Sequence, residues 1–200
     1  MTSSRQEKAA ETQQALKAAA LRVFAERGYL NAKITDITAA AGRAAGSFYN
    51  HFASKEELLQ ALLQDLADAG DERAESDDHT PDFSDPEAVR YHVAGYWTFA
   101  REHAPVLRAV NQAATVSEDF ARMLGQFAVQ QRSDIADHVE SFPDKGLQLP
   151  STPDATLAMM FLLIQSLLQA VEEGTVELSD QQAIDGLTRF VYRGMTGRDY

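Results

Sequence analysis

Apolar residues recur three and four positions apart along most of this 200-residue chain, the spacing that lines them up on one face of an α-helix. Leu16, Ala20, Val23 and Phe24 make the first stripe, with Ser4 and Glu7 placed as a capping box before it and Gly28 at its end. Two short helices are expected next, over residues 35–41 and 46–50, on either side of Gly42. Ser54 and Glu57 form a second capping box, opening a fourth helix in which Leu58, Leu62, Leu66 and Ala69 share a face. Residues Glu72 to Asp85 turn acidic and polar, as a linker would. Asp85-Pro86 then starts a fifth helix to about Glu102, and Pro105 opens a sixth to about Ala114. Ser117 caps a seventh to about Glu140, Thr152-Pro153 starts an eighth ending at Gly174, and Ser179 with Gln182 caps a ninth to about Gly194. Long period-two runs are missing, so the expected fold is all-α, with about nine helices.

The stretch LRVFAERGYLNAKITDITAAAGRAAGSFYNHFASKEELL, residues 21–59, carries most of the functional information. A helix-turn-helix needs a tight corner, an apolar pin between two helices, and a second helix whose outward residues are small or polar. Gly42 supplies the corner. Ile37 and Ala41, with Phe48 and Phe52 beyond the turn, can pin against Phe24. Ser47, with Ala44 and Ala45 before it, would face base edges, and Gly46 lets the backbone approach closely. Arg43 suits either a bidentate guanine contact or a phosphate grip. Tyr49, Asn50 and His51 can donate to phosphate oxygens, and Lys55 sits in the first turn of the fourth helix, where the dipole favours an anion.

Charge divides the same way. The net formal charge is −12, yet residues 1–55 hold eight Lys or Arg against four Asp or Glu, while the remainder holds ten against twenty-six. Only the N-terminal segment can neutralise phosphate, and the acidic body would be repelled from a duplex.

Taken in order, AALRVFAERGY, DITAAAG, GSFYNHF and SKEELL resemble the N-terminal domain of the TetR/AcrR family of bacterial transcriptional repressors, over residues from about 15 to 63. The resemblance implies an all-helical homodimer, with a DNA-binding domain at 1–53 and an effector-binding and dimerisation domain at 54–200 linked by the fourth helix. By position it assigns Gly46, Ser47, Tyr49, Asn50, His51 and Lys55 to DNA contact, with Thr35 at the edge of the second helix. It also implies repression relieved by a small molecule. The chain departs from the family pattern at Ala32 and Lys33, where Thr or Ser is usual before the second helix. It departs again at Ala45, where Lys is frequent, and at Arg43, which replaces a small apolar residue and can compensate for the missing cation.

In the body, Tyr96, Trp97, Met123, Phe127 and Met160 form an adaptable aromatic and thioether set suited to an apolar or aromatic effector. Asn111 and Gln165 could orient such a ligand or bond to backbone. The eighth helix is too apolar to expose a long face, and the ninth offers Ile184, Leu187, Phe190 and Val191, so helices eight and nine are the expected dimer face. Residues 155–171 include Thr156, Gln165, Ser166 and Gln169 and fit a helix buried on most faces better than a membrane span. There are no cysteines and no HExxH, GxGxxG, P-loop or nucleophile elbow. The histidines at 51, 79, 92, 103 and 138 lack metal-ligand spacing. No enzyme activity, cofactor or metal is expected, and a cytoplasmic location is. The alternative is a helical DNA-binding or partner-binding protein without a small-molecule effector.

Overall fold

The computed structural model describes residues 3–75 and 81–200, and among them nine α-helices and no strand. The helices are α1 (Ser3–Arg27), α2 (Ile34–Ala40), α3 (Ala45–Tyr49), α4 (Lys55–Glu75), α5 (Pro86–Glu102), α6 (Ala104–Ala114), α7 (Glu118–Ser133), α8 (Pro153–Glu172) and α9 (Asp180–Thr196). Two 3-10 turns, Ala136–Val139 and Pro143–Lys145, lie between α7 and α8. The chain forms two compact units, Met1–Ser76 with His103–Gly125, and Asp77–Glu102 with Gln126–Tyr200.

In the first unit the stripe read from sequence is the inner face of α1: Leu16, Ala20, Val23 and Phe24 are all buried. Helix α1 packs against α2 and α6, and α4 packs against α6. Val106, Ala109, Val110 and Ala113 of α6 are buried, as are Leu58, Leu62 and Leu66 of α4. One cation lies within this packing. Lys17 is 7% exposed, and its Nζ donates to both carboxylate oxygens of Asp65 at 2.7 and 2.8 Å, lashing α1 to α4. The Asp65 carboxylate offsets the cost of removing the ammonium from water.

The second unit is built on α5, α8 and α9, which pack pairwise. The Asp85 carboxylate accepts from Glu87 N–H, Thr152 Oγ1 from Ala155 N–H, and Ser179 with Gln182 closes a reciprocal box, so these three expected caps start α5, α8 and α9. Three contacts strap α5 to α9. Arg90 pairs with Asp185, Arg101 with Asp180, and the Trp97 indole N–H donates to Asp180 at 3.0 Å.

The chain departs from the sequence pattern in four places. Helix α4 continues to Glu75, past the expected linker start at Glu72, because the Glu, Arg and Ala residues there are good helix formers. The linker residues 76–80, His79 and the Ser4 side chain lie outside the described residues. Helix α7 stops at Ser133 instead of near Glu140. The Phe83 N–H takes the His138 carbonyl at 2.8 Å, His138, Val139 and Phe142 are buried, and the chain tightens into 3-10 turns to place them. Helix α8 buries Leu157, Met160, Ile164 and Leu168 but leaves Met159 and Leu162 more than half exposed, a wider open face than expected. By length and composition alone it could cross a membrane. In α9 the apolar stripe divides: Leu187 and Val191 point inward, while Phe190 is 68% exposed.

Candidate nucleic-acid interface

The corner between α2 and α3 follows from one glycine. Gly42 has φ +64, the left-handed region that side chains disfavour. Its N–H returns to Ala39 O and the next N–H, of Arg43, returns to Thr38 O, a closed Schellman end for α2. Beyond it Ala44 is extended and α3 begins. Ile37, Phe48 and Phe52 are buried, as is Phe24, and the rings of Phe48 and Phe52 sit 5.7 Å apart. Ala41 at the bend is half-buried.

Helix α2 is lashed to α1 at both ends. Arg27 pairs with Asp36 at 3.2 Å near its start, and Arg22 donates to the Ala40 carbonyl at 3.1 Å near its finish, where a cation also suits the helix dipole. With Lys33 where a hydroxyl cap is usual, Asp36 reaches back to accept the Lys33 N–H at 3.1 Å. A carboxylate in the first turn thus supplies the local closure.

These constraints present one face. Ala44, Ala45 and Gly46 are exposed, Ser47 is half-buried, and Tyr49 is 62% exposed, braced edge-on against Phe48. Asn50 is exposed at the end of α3, His51 is half-buried beyond it, and Thr35 is exposed on the first turn of α2. The side chains from Ala44 to Ser47 are small, and Tyr49, Asn50, His51 and Thr35 beside them carry hydrogen-bonding groups. Arg43 stands at its edge, 3.6 Å from Glu11 of α1.

Lys55 is placed differently from its neighbours in the sequence motif. Its ammonium donates to the carbonyls of Tyr29, at 2.7 Å, and Ala32, at 3.0 Å, and lies 4.2 Å from the centre of the Tyr29 ring. Burial pulls its pKa down, partly offset by the Glu56 charge. The Tyr29 hydroxyl donates to Glu56 at 3.1 Å; burial, and then that carboxylate, push the phenol pKa up. Burial also pushes Glu56 up, but hydrogen bonds from its backbone, Tyr29 and Ser54, together with Lys55, hold it below the ordinary value. Ser54 accepts the Glu57 N–H at 3.1 Å, while Glu57 accepts from Ala53 rather than Ser54, a displaced capping box. Tyr29 and Glu56 lie within the quoted motif strings, at the end of AALRVFAERGY and in SKEELL, but the sequence assigns neither a role in this junction.

The effector candidates fall in both units. Asn111 is exposed on α6 and Met123 half-buried on α7, in the first unit. In the second, Tyr96 packs edge-on against Phe161 at 4.9 Å and accepts a hydrogen bond from Gln165. Burial raises the Tyr96 phenol, against hydrogen bonds with Gln165 and Gln131. Phe127 is half-buried, Met160 is buried, and Trp97, 1% exposed, has its N–H bonded to Asp180. The structure therefore joins Tyr96 to Gln165 and gives Trp97 a partner on α9. Among the described residues no cluster of three or more His, Asp or Glu is arranged to hold a metal ion.

Residues 16–62 match the family described as bacterial regulatory proteins, tetR family. The chain is 53% identical over 49 residues to the HTH-type transcriptional repressor DhaR of Mycobacterium sp. (strain GP1), a match covering 22% of this chain and 25% of that protein. The chain thus spans only about a quarter of that relative's length. Over the whole fold it resembles the fatty acid degradation regulator FadR from Bacillus halodurans, with a TM-score of 0.75 at 18% identity, covering 94% of this chain and 97% of the other. It also resembles AibR, solved in complex with isovaleryl coenzyme A and operator DNA, with a TM-score of 0.69 at 18% identity, covering 90% and 98%.

Proposed function

We propose that this chain, which is a TetR-family transcriptional regulator, works as a homodimeric repressor. It reads an inverted-repeat operator with α3 and releases it when a small, mostly apolar effector occupies the body. The observation that carries the reading is the open face running from Arg43 through Ser47 to Asn50, pinned from behind by Ile37, Phe48 and Phe52. Ala44, Ala45, Gly46 and Ser47 approach base edges. Arg43 takes a guanine or a phosphate, and Tyr49, Asn50, His51 and Thr35 position the head on the backbone. Lys55 braces the Tyr29 and Ala32 carbonyls with two of its three N–H groups, leaving the third for a phosphate oxygen.

One short reader helix spans too few base pairs for a selective site, so two heads must act together. The open apolar face of α8, with Met159 and Leu162, and Phe190 of α9 are the surfaces we assign to the second protomer. A two-fold pair then calls for half-sites one helical turn apart, ~34–36 Å, or a multiple of it. In this division of labour residues 1–53 read DNA, and 54–200 pair and take the effector. Within the second unit, Tyr96, Trp97, Phe127, Met160 and Gln165 are the candidate ligand contacts. That AibR was solved with an acyl thioester and FadR is a regulator of fatty acid degradation supports an apolar effector. Effector and operator affinities are then reciprocally linked.

Selection of duplexes from a random library by the purified protein, followed by mobility-shift titration at several salt concentrations, tests the reading. A selected inverted repeat carrying two protomers, with affinity falling steeply as salt rises, is expected. Failure to enrich any sequence overturns it.

A further inference from the structure

Among the described residues four α-helices close on a left-handed glycine, and one of these ends is finished by another element. After Gly42 the next N–H returns to its own helix, Arg43 to Thr38 O, and after Gly174 the same occurs, Thr175 to Ala170 O. After Gly197 the Arg198 N–H is taken locally by Thr196 Oγ1. At the end of α1 the Gly28 N–H bonds to Phe24 O, the simpler left-handed closure, which leaves the following N–H of Tyr29 unclaimed by the helix. The side chain of Gln112, on α6, takes it: Gln112 Oε1 accepts the Tyr29 N–H at 2.7 Å.

We propose that Gln112 is a positioning residue through which α6 sets the pose of the DNA-reading head, an inference that rests on the reading role given above to the α2–α3 face. The contact is close as well as polar. A Cβ on Gly28 would lie 3.0 Å from Gln112 Oε1, so glycine there serves both the backbone angle and the approach of α6. Tyr29 spreads the constraint. Its carbonyl accepts from Lys55 and its hydroxyl donates to Glu56, both in the first turn of α4. Its ring lies edge-on to Phe24 of α1 at 5.4 Å and to Phe120 of α7 at 6.4 Å. One residue therefore meets α1, α4, α6 and α7. A displacement of α6 along its axis must either break the Gln112 bond or carry the Gly28–Tyr29 corner, and α2 behind it, along. Gln112 lies on α6, outside the face from Arg43 to Asn50, and acts on DNA affinity through Tyr29.

Two variants separate the hydrogen bond from mere filling of space. Gln112→Met keeps the length without an acceptor, and Gln112→Glu keeps the acceptor. Amide exchange at Tyr29, followed by NMR, and affinity for a labelled duplex selected by the wild-type full-length protein are the readouts. Tyr29 is expected to be protected in the wild type and in Gln112→Glu and to exchange several-fold faster in Gln112→Met. Duplex affinity should fall roughly three- to tenfold in Gln112→Met, the loss of one part-buried hydrogen bond, and return to within about twofold of wild type in Gln112→Glu. An unprotected Tyr29 amide in the wild-type protein removes the bond and with it the proposal. Equal affinity of Gln112→Met and wild type, or equal loss in both variants, overturns the positioning role. A wild-type protein that selects no duplex defeats the repressor reading and this role together, while Tyr29 protection still reports the bond by itself.

Discussion

Arg43 holds a guanidinium beside Ala44, Ala45, Gly46 and Ser47, the residues assigned to base edges, so sequence discrimination should lean on it. Its partner Glu11 is 3.6 Å away and largely exposed, a pairing that a phosphate or a guanine edge can outcompete. Arg43→Ala is expected to weaken operator binding by about 1–3 kcal/mol, measured by mobility shift at fixed salt, with the unfolding midpoint unchanged. Unchanged affinity would move the specificity elsewhere on α3. The residues of this face were legible in the sequence because small and polar types at fixed spacing after a glycine leave few other structural uses. The partners were harder to see. Lys55 donates to the Tyr29 and Ala32 carbonyls, more than twenty residues back in the chain, and Trp97 gives its N–H to an aspartate 83 residues away. Such pairings depend on tertiary proximity, which periodicity does not encode.

The elements were foreseeable where a local signal starts or stops them. Asp85, Thr152 and Ser179 cap helices as their side chains suggest, and Gly28, Gly42 and Gly174 end them with positive φ. At Gly42 the requirement is purely one of backbone, since nothing lies within 4 Å of where a Cβ would stand. Gly42→Ala should therefore cost about 1–2 kcal/mol of stability from the left-handed conformation alone. That corresponds to roughly 2–8 °C in the thermal midpoint for a chain of this size; a midpoint equal to wild type would show that the corner relaxes to another geometry. Prediction failed where long-range packing overrode a compatible local sequence. Nothing in Asp134–Glu140 forbids helix, yet His138 surrenders its carbonyl to Phe83 and the winding changes. Likewise, an acidic run looked like a linker although its first residues continue α4.

For the whole molecule, two properties follow from how charge and apolar surface are distributed. Phe190, Met159 and Leu162 leave apolar area open on α9 and α8. Phe190→Glu should shift the protein to a monomer in sedimentation velocity and weaken operator binding with it; an unaltered dimer would place the pairing surface elsewhere. Acid stability is set by carboxylates held below their ordinary range. Burial pushes Asp82 up, but hydrogen bonds from Lys145, Ser84 and Ser141 outweigh it and keep the carboxyl well below the usual value. The Trp97 indole, then Arg101, lower Asp180 despite some burial. A depressed carboxylate stabilises the fold fully above its unfolded pKa, about 4, and loses that contribution as pH falls through the folded value. Thermal melts followed by circular dichroism should thus hold steady down to about pH 4 and drop below it, less steeply for Asp82→Asn; an identical acid limb in that variant would exclude Asp82. The compact unit that contains α2 and α3 also has consequences for engineering. It draws on residues 103–125 as well as 1–76, so a chimera that transplants only the N-terminal segment onto a foreign core would leave Gly28 and Tyr29 without their floor. A working graft would have to bring α6 and the opening turns of α7 along, and the junctions belong on either side of that discontinuous block.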